Sequence, residues 1–390
     1  MHKLKKIGIT ALAGTLVSLS AAQAGGVSVS GSYELSYTQL DHEKVTGNPL
    51  GVKKNISFGA GGDLSDGGGV TWATNIGWTD GADLSSSSIA INMGGIATLT
   101  YDSGGGGTGA NAVDNIVPTA WEEVDYGIST GISDVGAVSA SKGVITLGIK
   151  APVAGTGISV SYASGMSADH VSDGSVGGAD GYKGVDVVLD FVDYSAAHAG
   201  FRWGVAGQVE LPEITCASQE KDAWQTGNMS GDVTSCSAKH KHRPYAGTMF
   251  TKLQLGPIHL GTQATFKNLA TTGAADIMNQ RSVVGGIAAV FGDTLSFSYG
   301  VAHDKYRYNN RNRGFTVVPD DSTGSNTDNS YTAGGEDYEY STNKYRGWSA
   351  ALNLGPVALK GTHNKVKSED HLSAFPHDVQ HTEFNLSIAF

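Results

Sequence analysis

Past its first two dozen residues this 390-residue sequence has no apolar run of the roughly 20 residues that a helix needs to cross a bilayer. A membrane crossing, if the chain makes one, is therefore built from strands. Helical periodicity is missing as well, since no segment shows a 3.6-residue apolar repeat as strong as the period-two alternation described below. Cysteine is limited to two residues, enough for one bridge, and proline to 9 against 55 glycines. Lys and Arg, 26 together, are outnumbered by 37 Asp and Glu, so nucleic acid is not expected as a partner. Neither H-E-x-x-H nor C-x-x-C occurs, and the glycine run at 104–107 is not followed by the Lys-Ser or Lys-Thr of a phosphate-binding loop. No cofactor and no enzymatic activity are expected.

What is present begins with the leader. MHKLKKIGITALAGTLVSLSAAQA has a basic start at Lys3, Lys5 and Lys6, an apolar stretch from Ile7 to Leu19 broken by Thr10, Thr15 and Ser18, and a small-residue end with Ala22 and Ala24. This is the pattern of a cleaved secretory signal over 1–24, with a mature chain over 25–390. Its removal takes away three lysines and leaves 23 basic against 37 acidic residues, a net charge near −14. Export also makes a bridge between Cys216 and Cys236 the expected state of the two thiols. Closing that loop of about twenty residues contributes roughly 3 kcal/mol by the chain-entropy argument.

The mature chain alternates apolar and polar residues again and again. GVSVSGSYELSY places Val27, Val29, Tyr33, Leu35 and Tyr37 on one face, and VTWATNIGW does the same with Val70, Trp72, Ile76 and Trp78. The final residues, HTEFNLSIAF, put Phe384, Leu386, Ile388 and Phe390 on one face. Turn chemistry separates these segments in a regular way. Short connections near 65–68, 94–95, 151–156, 195–200, 256–257, 292–293 and 355–356 alternate with long polar ones near 39–51, 80–87, 102–142, 165–182, 211–243, 267–281, 304–345 and 366–379.

Seven short and eight long connections join sixteen strands. Most strands are about 8 to 12 residues, close to the 9 to 11 that a tilted strand needs to span hydrocarbon. The expected fold is an all-β transmembrane antiparallel barrel with short periplasmic turns and long extracellular loops, because closure leaves no unpaired backbone facing lipid. A soluble β-sandwich also alternates, but it does not account for eight long loops at one end.

With this architecture, and with the terminal FNLSIAF ending in Phe390, the chain resembles the sixteen-stranded general porins of Gram-negative outer membranes. The resemblance implies a homotrimer in the cell outer membrane that lets small hydrophilic solutes and ions diffuse passively. It also implies that Phe384, Leu386, Ile388 and Phe390 form the signal read by the outer-membrane insertion machinery. Outer-membrane lipid and lipopolysaccharide are the expected surroundings. In that family the third long loop folds into the pore. Here it spans about 102–142, and its Asp114, Glu122, Glu123 and Asp125 are candidates for the acidic side of a constriction.

Parity places Lys53, Lys150, Arg202, Lys252 and Lys360 on the lumen side as candidates for a basic wall, together with Asn55, Thr71 and Asn75. Acids facing such a wall would set up a transverse field. The early strands carry mostly Asn and Thr where the family usually has several arginines, so the field is expected to be weak. Aromatic residues near strand ends, among them Tyr37, Trp78, Tyr101, Phe201 and Phe390, suit interfacial girdles.

The acidic stretch DDSTGSNTDNSYTAGGEDYEY is expected to be flexible rather than a calcium site, and His240 and His242 to be solvated. No metal is expected. The excess of acid predicts a mild cation preference. The alternatives are a substrate-specific channel, a barrel enzyme and a rim adhesin.

Overall fold

The computed structural model describes residues 26–41, 49–64, 69–80, 84–103, 109–113, 116–128, 142–150, 156–166, 183–196, 199–211, 244–269, 277–308, 315–318, 330–333, 340–368 and 379–390. Strands follow one another along them. The first nine are β1 (Val27–Asp41), β2 (Leu50–Asp63), β3 (Val70–Thr79), β4 (Leu84–Met93), β5 (Ala97–Asp102), β6 (Lys142–Lys150), β7 (Thr156–Met166), β8 (Lys183–Ala196) and β9 (Ala199–Leu211). The rest are β10 (Tyr245–Leu255), β11 (Ile258–Asn268), β12 (Ile277–Phe291), β13 (Leu295–Tyr308), β14 (Phe315–Val318), β15 (Ser330–Ala333), β16 (Tyr340–Leu354), β17 (Val357–Ser368) and β18 (Val379–Ala389). Between β5 and β6 lies one 3-10 turn, Gly109–Val113.

Every strand except β14 and β15 belongs to one antiparallel sheet, and that sheet closes: β1 pairs with β2 on one side and with β18 on the other. At the closure Gly31 and Phe390 exchange both backbone hydrogen bonds, at 2.9 and 3.0 Å. Tight turns at Gly94-Gly95, Gly256, Gly292 and Gly355 use positive φ, which glycine adopts without a Cβ penalty. Strands such as β1, β12 and β16 reach 15 residues, longer than the 8 to 12 expected, and at about 3.3 Å per residue they extend beyond a hydrocarbon layer.

The alternation read from sequence becomes two surfaces. Outward, the register runs Leu35–Leu386–Leu359–Leu352–Leu295 across five adjacent strands, a continuous apolar row. Val27, Phe384 and Phe297 on this surface are 69, 55 and 48 % exposed. Leaving such side chains in water would forgo about 1.5–3 kcal/mol each, so the surface is built to meet an apolar medium. Inward, the barrel wall presents Gln263 of β11, Ser282 of β12, Ser349 of β16, and Thr362 and Asn364 of β17, all buried.

One expectation is corrected here. Part of the stretch expected to be flexible is a strand: Ser330–Ala333 pairs with Phe315–Val318 as a separate two-stranded sheet. Phe, Thr and Val make up one piece and Tyr and Thr are half of the other, a strand preference that the acids around the second piece mask in the sequence.

Candidate functional site

Residues 109–113 and 116–128 run along the inner face of the wall, and their contacts follow the strands in order. Val113 and Ile116 pack with Ala206 of β9 and with Ala246 and Phe250 of β10. The Ile116 N–H donates to Gln263 Oε1 of β11 at 3.1 Å, and Gln263 Nε2 donates to the Val113 carbonyl at 3.3 Å. The Ala120 N–H donates to Ser298 Oγ of β13 at 2.9 Å, and the Trp121 N–H to Ser349 Oγ of β16 at 3.1 Å. Asn364 of β17 gives its amide to two carbonyls, Glu123 at 2.8 Å and Tyr126 at 3.0 Å. Val124 and Ile128 then close an apolar patch with Ala302, Tyr345, Val366 and Val379.

Backbone groups in a segment without strand partners must be satisfied by something. Here the polar side chains of the inner wall supply the partners. Close approach depends on small wall residues: a Cβ on Gly286 would stand 2.6 Å from Val117 Cγ1, and one on Gly261 would run into Pro118. Gly127 is required twice, by φ of +77° and by the His381 ring against it.

Charge gathers where this segment reaches the closure of the barrel. Glu122 interacts with Glu383 of β18, Lys360 of β17, Lys53 of β2 and Glu34 of β1. Its carboxyl is pushed up to about 7, first by desolvation and then by the Glu383 charge, against the opposing pull of Lys360 and Lys53. Tyr126 hydrogen-bonds Glu383, and desolvation followed by the Glu383 and Glu122 charges raises the phenol, so it stays protonated and donates. Its ring meets His381 edge-on at 5.5 Å, and His381 lies 3.8 Å from Glu383. Asn385 Nδ2 donates to Glu34 Oε2 at 3.4 Å, and Lys360 Nζ sits 5.8 Å from the Trp121 ring centre.

The residues singled out in the sequence fall in different places. Glu122 is in this cluster. Glu123 meets the wall through its carbonyl, Asp125 is buried beside Asp304, and Asp114 lies outside the described residues. Lys53, Lys150, Arg202, Lys252 and Lys360 all occupy inward register positions. Lys53 lies opposite Glu34, Lys252 lies directly opposite Arg202, and Arg202 stacks over the Phe250 ring at 5.4 Å. Lys53 and Lys150 are solvated, whereas Lys360 is buried beneath Trp121. Phe384 and Ile388 point outward and Leu386 joins the outer leucine row. Cys216, Cys236, His240 and His242 lie outside the described residues.

Sequence reading missed Glu34, Glu383, Tyr126 and the wall amides Gln263 and Asn364. The first two carried a signal, a charge at the inward parity of the first and last strands. No G-x-S-x-G is expected from the sequence reading, and this is corrected: Gly127-Ile128-Ser129-Thr130-Gly131 has that spacing of a hydrolase nucleophile elbow. That chemistry needs a serine on a strand-to-helix turn. Here Gly127 and Ile128 are loop residues packed on the wall, and Ser129 lies outside the described residues.

Inner positions around the wall are not equally covered. Those of β11, β13, β16 and β17 beneath the segment are buried, while Lys53 and Asn75 of β2 and β3 are open to solvent. Inward side chains on that side, next to the Glu122 cluster, therefore meet water.

No protein-family model matches the chain, and no curated protein matches it. Solved structures do resemble it. OmpT folded in vitro, an outer membrane protein of Vibrio cholerae, superposes with a TM-score of 0.59 at 6% identity, over 95% of this chain and 99% of that one. OmpF of Salmonella typhi, solved in complex with daunomycin, gives 0.54 at 11% identity over 93% and 97%. The likeness is one of fold: this chain is an outer-membrane type of β-barrel.

Proposed function

We propose that the chain is a porin of a Gram-negative outer membrane, a sixteen-stranded barrel through which small hydrophilic solutes and ions diffuse. The observation that carries this reading is a closed barrel, apolar outside and polar inside, with an internal segment covering one side of the lumen and leaving the other wet. On this reading residues 109–128 belong to the constriction loop, the short turns face the periplasm, residues 1–24 are removed on export and three copies associate. The family likeness of the sequence and the fold of the neighbouring structures support it.

Purified protein added to a planar bilayer is expected to give stepwise conductance, and a persistently silent, correctly folded barrel would refute the channel. Once Glu122 ionises, above about pH 7, Glu34, Glu122 and Glu383 against Lys53 and Lys360 leave the narrow side with an excess of carboxylates. That supports a mild preference for cations, read as the sign of the reversal potential under a salt gradient. Chloride preference would overturn it.

A further inference from the structure

Beside the apolar patch of Val124, Ile128, Ala302 and Tyr345, where the internal segment ends on the wall, the inner face carries a polar row. The register sets Thr265 of β11 opposite Ser282 of β12, Ser282 opposite Asp304 of β13, and Asp304 opposite Asn343 of β16. None of the four is more than 5 % exposed. Thr265 meets the Thr248 hydroxyl at 3.0 Å. Ser282 Oγ and Asp304 Oδ1 have no hydrogen-bond partner, and solvent reaches neither atom. The Ser282 hydroxyl is near enough to the Asp304 carboxylate to act on its charge, but not in hydrogen-bonding geometry. Two charges act on Asp304 as well: Asp125 of the segment, itself buried, and Lys267 of β11, whose pull is weaker than the repulsion from Asp125.

A carboxylate cut off from solvent is costly unless something meets it. Water is too large to be the missing partner, since it touches neither orphaned oxygen. A proton on Asp304 Oδ1 would cancel the charge and leave a donor as isolated as the acceptor it replaced. A bare cation answers both needs, because it sits about 2.3–2.6 Å from oxygen, closer than a water molecule approaches.

The donor set narrows the kind of cation. Asp304 and Asp125 offer two oxygens each, and Ser282 and Asn343 one each, with no sulfur or ring nitrogen among them. Asn343 gives its amide to the Tyr345 hydroxyl at 3.3 Å, which turns its carbonyl oxygen the other way. No three His, Cys, Asp or Glu side chains gather to hold a metal among the described residues, so the neutral oxygens are needed to complete the set. Calcium accepts irregular all-oxygen sets of this kind, whereas magnesium demands a near-octahedral one and keeps several waters.

We propose that Asp304 and Ser282, joined by Asn343 and by Asp125 of the segment, bind one calcium ion that clips the end of the segment to β12, β13 and β16. The ion turns the repulsion between two buried carboxylates into a shared attachment. Binding needs neither conduction nor a second copy, so the site stands apart from the porin reading.

The test uses the full folded chain in detergent, stripped with EGTA and then dialysed against radioactive calcium chloride, with bound calcium and melting temperature as readouts. The parent is expected to hold one ion per chain and to melt higher with calcium than with EGTA. Asp304→Asn keeps the shape and removes the charge. It is expected to hold about tenfold less calcium and to lose the calcium-dependent shift in melting. In EGTA it should melt above the parent, because the repulsion from Asp125 is gone; a carboxylate needed only for packing would give the opposite order. Ser282→Ala is expected to bind about threefold more weakly. Asp293→Asn, in an exposed short turn, is expected to match the parent.

Equal calcium retention by the parent and Asp304→Asn overturns the proposal and places any bound ion elsewhere on the chain. A parent that holds no calcium overturns it too, as does an Asp304→Asn protein that melts below the parent in EGTA. If Asp304→Asn fails to fold, Ser282→Ala decides, and unchanged retention there counts equally against the site. Calcium held by a barrel that stays silent in a bilayer sinks the porin reading alone, whereas a conducting barrel that holds none sinks this site alone.

Discussion

At the scale of single residues, Glu122 is the group with the clearest measurable behaviour. Its carboxyl ionises near 7 instead of 4.5 because burial and Glu383 disfavour its charge. A carboxyl raised in the folded state contributes its stability fully below about 4.5, and that contribution is lost as pH rises through about 7. Raising the pH from 6 to 8 is therefore expected to add a negative charge beside the lumen. The reversal potential should move toward cations over that interval, and Glu122→Gln should remove most of the shift. A pH response unchanged in the variant would show that another group carries it. Asn364 is the second such residue: Asn364→Ala strands the Glu123 and Tyr126 carbonyls. A loss of about 1–3 kcal/mol is expected, read as a lower melting temperature and noisier open-channel current.

At the scale of elements, the segment 109–128 and the wall under it were made for each other by opposite means. The segment contributes apolar side chains and unsatisfied backbone, while the wall contributes amides, hydroxyls and glycines. Gly286→Val would bring side chain against Val117. It is expected to push the segment off the wall and alter single-channel conductance without preventing barrel formation, which circular dichroism can check. Conductance identical to the parent would mean that the segment does not border the ion path. The sequence made this element visible as a long glycine-rich stretch of about the right position. Which of its acids meets the lumen was not legible, because a loop has no parity: Glu122 reaches the closure cluster while Asp125, three residues on, is buried.

At the scale of the whole molecule, stability depends on closure. Gly31 and Phe390 complete the ladder, and a Cβ on Gly31 would stand 2.6 Å from the Phe390 ring. Deleting 384–390 opens both β1 and β17 to solvent or lipid along much of their length. The truncated protein is expected to lose the difference in gel mobility between unheated and boiled samples that a folded barrel displays. Retention of that difference would show that closure is dispensable. For the intact protein, an unheated species at three times the monomer mass that boiling collapses is expected from the proposed trimer. A mass two units lower in the native than in the reduced protein is expected if Cys216 and Cys236 are joined, because the bridge forms with loss of two hydrogens, and equal masses would exclude the bridge.

Sequence alone determined the periodicity, and with it the class of fold, the number of barrel strands and the side on which Lys53, Lys150, Arg202, Lys252 and Lys360 lie. A strand's side chains alternate with a period of two whatever the partner, so parity survives ignorance of the tertiary structure. Only the closed barrel decided which charges meet. Glu34, Glu122, Lys360 and Glu383 come from four separate parts of the chain. The buried row of Thr265, Ser282, Asp304 and Asn343 likewise appears only once the register between strands is set. The hydrogen-bonded register that joins such distant segments is a property of pairs of strands, and no single stretch of sequence carries it.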